Sequence, residues 1–133
     1  MARAYILPMP MAEEAWGVAE KEIVRALDKT HSLIEIGELK EGVLDGTKDF
    51  WCVLNDEGKT KAWAVGGVFS HAYLIWALGG EDAQDWLSTQ EEFEAKAKAK
   101  GCTEVQFYGR LPWQRILRDR GYKPVQVVMR REL

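Results

Sequence analysis

The chain has 133 residues, 47% of them hydrophobic and 29% charged. That suits one compact domain with a real core and excludes both a disordered tail and a membrane span. The formal charge of −3 hides a division: residues 1–49 hold 6 basic and 10 acidic side chains, residues 50–109 hold 5 and 9, and residues 110–133 hold 7 and 2. An acidic body carrying a basic C-terminal end is not a general nucleic-acid binder, although that end can meet an anionic ligand.

Residues 3–9 read as a short strand ended by Pro8 and Pro10. From Met11, the apolar positions Trp16, Ala19, Ile23, Ala26 and Leu27 recur at helical spacing, with Glu13 and Glu14 at the positive end of the helix dipole and Lys29 at the negative end. This predicts a helix over 11–29. After Thr30-His31-Ser32, the residues Leu33, Ile34, Ile36 and Leu39 predict a second, shorter helix near 32–41, before a loop at Gly42 and Asp45-Gly46.

Phe50-Trp51-Cys52-Val53-Leu54 is a β-favouring run, and Asn55-Asp56-Glu57-Gly58 has hairpin-turn chemistry. Residues 62–69 form the return strand, with Gly66-Gly67 marking a bulge or a close backbone approach. After a turn at Ser70-His71, residues 72–78 are apolar on both faces, as in a central strand with helices packed on each side. Beyond Gly79-Gly80 a helix begins near 82 or at 89. Trp86, Gln90, Phe93 and Ala97 form its stripe, Ser88 with Glu91 or Thr89 with Glu92 offers a capping box, and Gly101 closes it. Residues 103–108 alternate as a strand, Pro112 opens a helix with Trp113, Ile116 and Leu117 on its face, and residues 125–129 read as a last strand. No repeat or linker interrupts this order.

The N-terminus lacks the apolar run and cleavage site of a signal peptide, and no stretch approaches the roughly 20 apolar residues of a spanning helix. Cys52 and Cys102 have no CxxC or metal-ligand spacing, so they read as reduced thiols, with no metal expected. These features point to the cytoplasm.

A three-strand meander followed by helix, strand, helix and strand requires a mixed, mostly antiparallel sheet with helices on both faces, an α+β fold. In this order, and above all in Ile116-Leu117-Arg118-Asp119-Arg120-Gly121-Tyr122-Lys123-Pro124, the chain resembles the GNAT superfamily of acyl-CoA-dependent N-acyltransferases, whose corresponding segment reads L-Y-E-K-L-G-F-K-P. The resemblance spans nearly the whole chain, 1–133, as one GNAT-like domain. It implies acetyl-CoA and an amine acceptor, with Trp76, Ala77, Leu78, Gly79, Gly80 and Gln84 along the cofactor. Backbone N–H groups of Trp76 to Leu78 would polarise the acyl carbonyl.

Two departures accompany the resemblance. The family's phosphate-cradling loop, Gln/Arg-x-x-Gly-x-Gly/Ala at a helix N-terminus, falls on Gly80-Glu81-Asp82-Ala83-Gln84-Asp85. There three carboxylates would cap the helix from within and repel a diphosphate. The family's tyrosine acid falls on Leu117, which cannot donate a proton, leaving Tyr108 or Tyr73 as substitutes.

Two functions follow. One is a divergent acyltransferase with a degenerate loop. The other is a catalytically silent scaffold, similar to small bacteriophage virion and head- or tail-assembly proteins, cytoplasmic or virion-associated. Its protein contacts would run through Trp113 and the basic residues Arg110, Arg115, Arg118, Arg130 and Arg131. Trp51, Trp86 and Trp113 stand at element ends, where an aromatic seals the core or anchors a partner. His31 and His71 read as solvated turn residues, and Glu104 and Gln106 as the polar face of a strand.

Overall fold

The computed structural model describes residues 2–30, 32–82, 86–109 and 111–133. In chain order it contains β1 (Arg3–Ile6), α1 (Met11–Thr30), α2 (Ile36–Asp45), β2 (Asp49–Leu54), β3 (Thr60–Phe69) and β4 (Ala72–Gly80). A 3₁₀ turn (Leu87–Thr89) then leads into α3 (Gln90–Ala99), followed by β5 (Glu104–Phe107) and α4 (Leu111–Arg118). Among the described residues the strands form a sheet ordered β1-β2-β3-β4-β5. The pairs β1–β2, β2–β3 and β3–β4 are antiparallel, and β4–β5 is parallel. This is the mixed α+β sheet that the element order demands.

Each face of the sheet buries its own cluster. On one side Trp16, Ile23 and Leu39 of α1 and α2 pack on Phe50, Val65 and Ala77. Phe50 lies between Trp16 and Trp63 at ring separations of 5.3 and 5.4 Å, contacts that add about 0.5–1.5 kcal/mol each beyond area burial. On the other side Trp86 and Phe93, with Trp113 and Leu117 of α4, cover Trp51, Tyr73, Ile75 and Leu78. β4 thus feeds both clusters, which is why its sequence is apolar on both faces.

The hairpin between β2 and β3 forms as its residues require. Asn55 Oδ1 accepts from the N–H groups of Glu57 and Lys59, both at 2.9 Å. Gly46 ends α2 at φ 83°, a left-handed conformation that costs glycine little. The helical stripe Trp86, Gln90, Phe93, Ala97 is buried throughout.

Three boundaries differ from expectation. The second helix starts at Ile36, because the Ile34 N–H turns back onto Ser32 Oγ at 3.2 Å and leaves Leu33 exposed. The capping box does not form: Thr89 makes no side-chain cap, and Glu92 instead takes the Ala4 N–H at 2.6 Å and Arg3 Nε at 3.1 Å. Residues 125–129 form no strand; their valines and Met129 are exposed.

Close backbone approach fixes one contact that positions the site. A Cβ on Gly79 would lie 2.6 Å from the Glu22 carbonyl oxygen of α1, so the absent side chain is what lets α1 lie against the end of β4. Gly79→Ala should lower stability by about 1–3 kcal/mol through this clash. Gly17→Ala, at an exposed helix-interior position with nothing within 4 Å of the added carbon, should raise it by about 0.5–1 kcal/mol. Chemical denaturation of the two variants checks both signs.

Candidate functional site

The site begins with one surplus residue. Val65 pairs with Ala77 and Gly66 with Ile75, so Trp76 is inserted in β4 as a bulge. Two glycines make room for it. A Cβ on Gly66 would lie 2.9 Å from Ile75 Cδ1, and one on Gly67 would lie 3.0 Å from the Trp76 ring. Lys48 Nζ covers the same indole at 5.1 Å from its centroid, a cation–π contact.

β5 cannot follow this bend. Its register with β4 runs from Ala72↔Glu104 to Ile75↔Phe107 and closes with the Tyr108 N–H on the Ile75 carbonyl at 3.0 Å. Beyond the bulge, Ala77–Gly80 pair with β3 alone among the described residues. Backbone groups of an extended strand point alternately to its two sides, so this stretch presents polar backbone to a side without a strand. The two parallel strands therefore diverge into a fork.

A cavity of about 170 Å³ lies at the end of β4, on the diverging stretch of the fork. Its walls are Glu22, Arg25, Ala26, Lys29 and Thr30 of α1, Leu78, Gly79, Gly80 and Glu81 at the end of β4, and Trp113 of α4. Arg25 Nη1 bonds Glu22 Oε1 at 3.1 Å, and Lys29 adds a second cation. Of the sequence-derived cofactor residues, Leu78, Gly79 and Gly80 line this cavity, Ala77 is buried in the strand behind it, and Trp76 is the bulge. Gln84 lies outside the described residues. Arg25 and Lys29 are not among the sequence-derived site residues. Their i,i+4 spacing marks one helix face, but only the tertiary fold shows that this face meets β4.

Of the segment expected to start a helix, Glu81, Asp82 and Trp86 are described, Trp86 being helical, and 83–85 lie outside the described residues. The Glu81 N–H bonds the Lys61 carbonyl at 3.2 Å, its carbonyl accepts Trp86 Nε1 at 2.6 Å, and Asp82 Oδ2 lies 3.5 Å from Lys61 Nζ. α3 begins only at Gln90. Glu81 and Asp82 fasten the loop to β3 and to Trp86. Thr89 and Gln90, where α3 begins, are buried.

The two candidate tyrosines separate. Tyr73 is fully buried; its hydroxyl donates to Asp49 Oδ2 at 2.5 Å and accepts from Trp51 Nε1 at 3.0 Å. Burial first, and the Asp49 carboxylate second, push this phenol well above the usual tyrosine range. It forms a buried structural link between β2 and β4. Tyr108 is 40% exposed, directly after the last rung of the β4–β5 ladder. Leu117 is buried in the core, so nothing polar replaces the family's tyrosine at that position.

Trp113 is also corrected. It is buried with Trp51 and Trp86 and faces the cavity, so it offers no surface to a protein partner. Arg115, Arg118, Arg130 and Arg131 are exposed, and Arg110 lies outside the described residues. Among the described residues no cluster of three or more His, Cys, Asp or Glu side chains could hold a metal ion, and no helix is long and apolar enough to cross a membrane. Cys52 and Cys102 are free thiols.

At the closed end of the fork, His71 Nε2–H donates to Glu104 Oε1 at 2.5 Å, and Gln106 Nε2 donates to Glu104 Oε2 at 3.3 Å. His31 lies outside the described residues.

No protein-family model and no curated protein sequence matches the chain. Solved structures do. A predicted acetyltransferase from Clostridium acetobutylicum, solved with acetyl-CoA, superposes with a TM-score of 0.69 at 8% identity, over 99% of this chain and 96% of that one. Glucosamine-6-phosphate N-acetyltransferase from Arabidopsis thaliana superposes at 0.60 with 13% identity, over 99% and 98%. A Trypanosoma brucei acetyltransferase superposes at 0.57 with 12% identity, over the whole of both chains. The chain has the GNAT fold in a divergent form.

Two outcomes test this geometry. Tyr73→Phe should cost about 1–3 kcal/mol of unfolding free energy, because Trp51 Nε1 and Asp49 lose their shared partner; an unchanged stability would remove its structural role. Glu104, held below the ordinary value of 4.5 first by His71 and then by Gln106, stabilises the fold above that value and loses this effect as pH falls through the lowered one. Its NMR titration midpoint should lie below 4.5 and rise in His71→Ala.

Proposed function

We propose that the protein is an acyl-CoA-dependent N-acyltransferase in which phosphate recognition has moved from the loop after β4 to α1. The observation that carries this reading is the fork, with Leu78, Gly79 and Gly80 at its cavity and two cations, Arg25 and Lys29, on the facing helix. A volume of about 170 Å³ is below the roughly 300–1,000 Å³ of complete ligand pockets. The cavity thus suits one end of a CoA-sized molecule, and the open fork suits the remainder. At the conventional anchor, the loop expected over 80–85, Glu81 and Asp82 would oppose a diphosphate. Arg25, bonded to Glu22, and Lys29 are the cations that would attract it, offset in part by Glu22 and Glu81 in the same lining.

A bound acyl thioester supplies an activated carbonyl to an attacking amine. The chain contributes position and polarity. A backbone N–H on the open side of the Ala77–Gly80 stretch stabilises negative charge on the carbonyl oxygen. The walls of the fork hold the reacting groups in line. Tyr108 gives its hydroxyl proton to the departing sulfur as the carbon–sulfur bond breaks.

The carboxylates Glu81 and Asp82 after β4 favour a second reading, a catalytically silent scaffold acting through protein contacts at the basic C-terminal end. Calorimetric titration with acetyl-CoA separates the two. Binding should be detectable and should weaken about tenfold in the Arg25→Ala, Lys29→Ala double variant, the equivalent of about 1.4 kcal/mol. Tyr108→Phe should lower kcat with affinity unchanged. No heat and no rise in melting temperature at millimolar acetyl-CoA would leave the scaffold reading.

A further inference from the structure

Lys48 is a cation set in place without a counter-ion. Its N–H bonds the Gly42 carbonyl at 2.9 Å. Its stem crosses α2 at that glycine, where a Cβ would lie 2.5 Å from Lys48 Cδ and 2.8 Å from Nζ. The ammonium ends 5.1 Å from the centroid of the Trp76 indole. Lys48 is half-buried, yet no ion pair among the described residues includes it. The neighbouring Asp45 instead gives Oδ1 to the Thr47 N–H at 2.9 Å and to Thr47 Oγ1 at 2.6 Å. An ammonium partly withdrawn from water and held in one place attracts an anion more strongly than a fully solvated lysine does.

This cation stands beside the fork. Val105 and Phe107 pack into the α3–α4 cluster, so Glu104, Gln106 and Tyr108 face the other side of the sheet. On that side Trp76 joins the cluster of α1 and α2, which reaches Phe50, Val65 and Ala77 but no residue of β5. Half-buried Trp76 and exposed Tyr108 therefore border a ledge where β4 and β5 part. The opposite face is filled by buried Trp86, Trp113 and Leu117. Glu104, the carboxylate on the ledge, already accepts from His71 and Gln106.

We propose that Lys48, over Trp76, is an anion subsite for the acyl acceptor, and that the acceptor is a small amine carrying a carboxylate or a phosphate. The role as acceptor site rests on the acyl-transfer reading above, whereas the anion subsite stands without it. Trp76 directly precedes the open stretch that begins at Ala77 and shares its face with Tyr108. An amine held by its anionic end on Lys48 thus has its nitrogen directed to the mouth of the fork. A plain alkylammonium meets a like charge on this ledge, and an anionic group on the same molecule offsets it.

The indole N–H of Trp76 reads the subsite with no acyl donor present. In nitrogen–proton correlation spectra at constant ionic strength, γ-aminobutyrate or O-phosphoethanolamine should shift this signal saturably at millimolar concentration. Trp76→Phe identifies the signal by its loss. The counterparts without an anion, γ-aminobutyramide and ethanolamine, should leave it in place. A response to one anionic amine alone supports the subsite and names the group it takes. Lys48→Met, which keeps the stem over Gly42, should weaken binding at least tenfold, and Lys48→Arg should retain it. No saturable shift with either anionic amine overturns the proposal, as does a shift that survives Lys48→Met. Thiol release from acetyl-CoA tests the acceptor role: in Lys48→Met the KM for the anionic amine should rise at least tenfold with kcat unchanged. Equal kcat/KM for each anionic amine and its counterpart would overturn the proposal and leave acyl transfer standing. A Lys48-dependent shift without turnover would support the subsite and overturn acyl transfer.

Discussion

The inserted Trp76 is the constraint on which the rest of the arrangement depends. One surplus residue in β4 turns both Trp76 and Ala77 toward the α1–α2 side and ends the ladder with β5 after Ile75. The indole is held from both directions, over Gly67 and beneath Lys48, so the bulge is packed into place. Below it the strands are fastened together by His71 to Glu104 and by the Thr103 N–H on the His71 carbonyl at 2.8 Å. Above it they part. A closed base and an open mouth on adjacent parallel strands make a cleft.

The negative charge of the body has a structural share. Glu92 ties the first strand to α3 through the Ala4 N–H, Glu94 ties the chain after α4 to the same helix through Tyr122, and Asp49 closes the buried link with Tyr73 and Trp51. Carboxylates that accept charge-assisted or short hydrogen bonds across long sequence separations act as cross-links. They join elements that hydrophobic contact alone would leave free to slide.

Much of the architecture was legible because local chemistry and tertiary position agreed. Gly66-Gly67 in a strand pointed to a bulge or close approach, and both occur. A run apolar on both faces pointed to a covered central strand, and β4 is one. Agreement fails where two patterns share a composition: Leu33 and Ile34 suit a helix as well as Ile36 and Leu39 do, and only the turn at Ser32 separates them. It fails again where the partner lies far off in the chain. Nothing local distinguishes a buried, bonded Tyr73 from an exposed Tyr108, or shows that Arg25 and Lys29 face β4. A β-favouring pattern at 125–129 states what a segment can pair with and is silent on which strand accepts it.

The position of Trp113 has an optical consequence. Its ring lies at 81° to that of Trp86, with centroids 6.4 Å apart, and it also forms a wall of the cavity at the end of β4. Two indoles that close share their excited states. Trp86, fully buried and anchored through its Nε1 to the Glu81 carbonyl, serves as a fixed reference for a neighbour that any occupant of the fork must touch. The intrinsic emission and near-ultraviolet dichroism of this pair make the cleft self-reporting, with no label introduced.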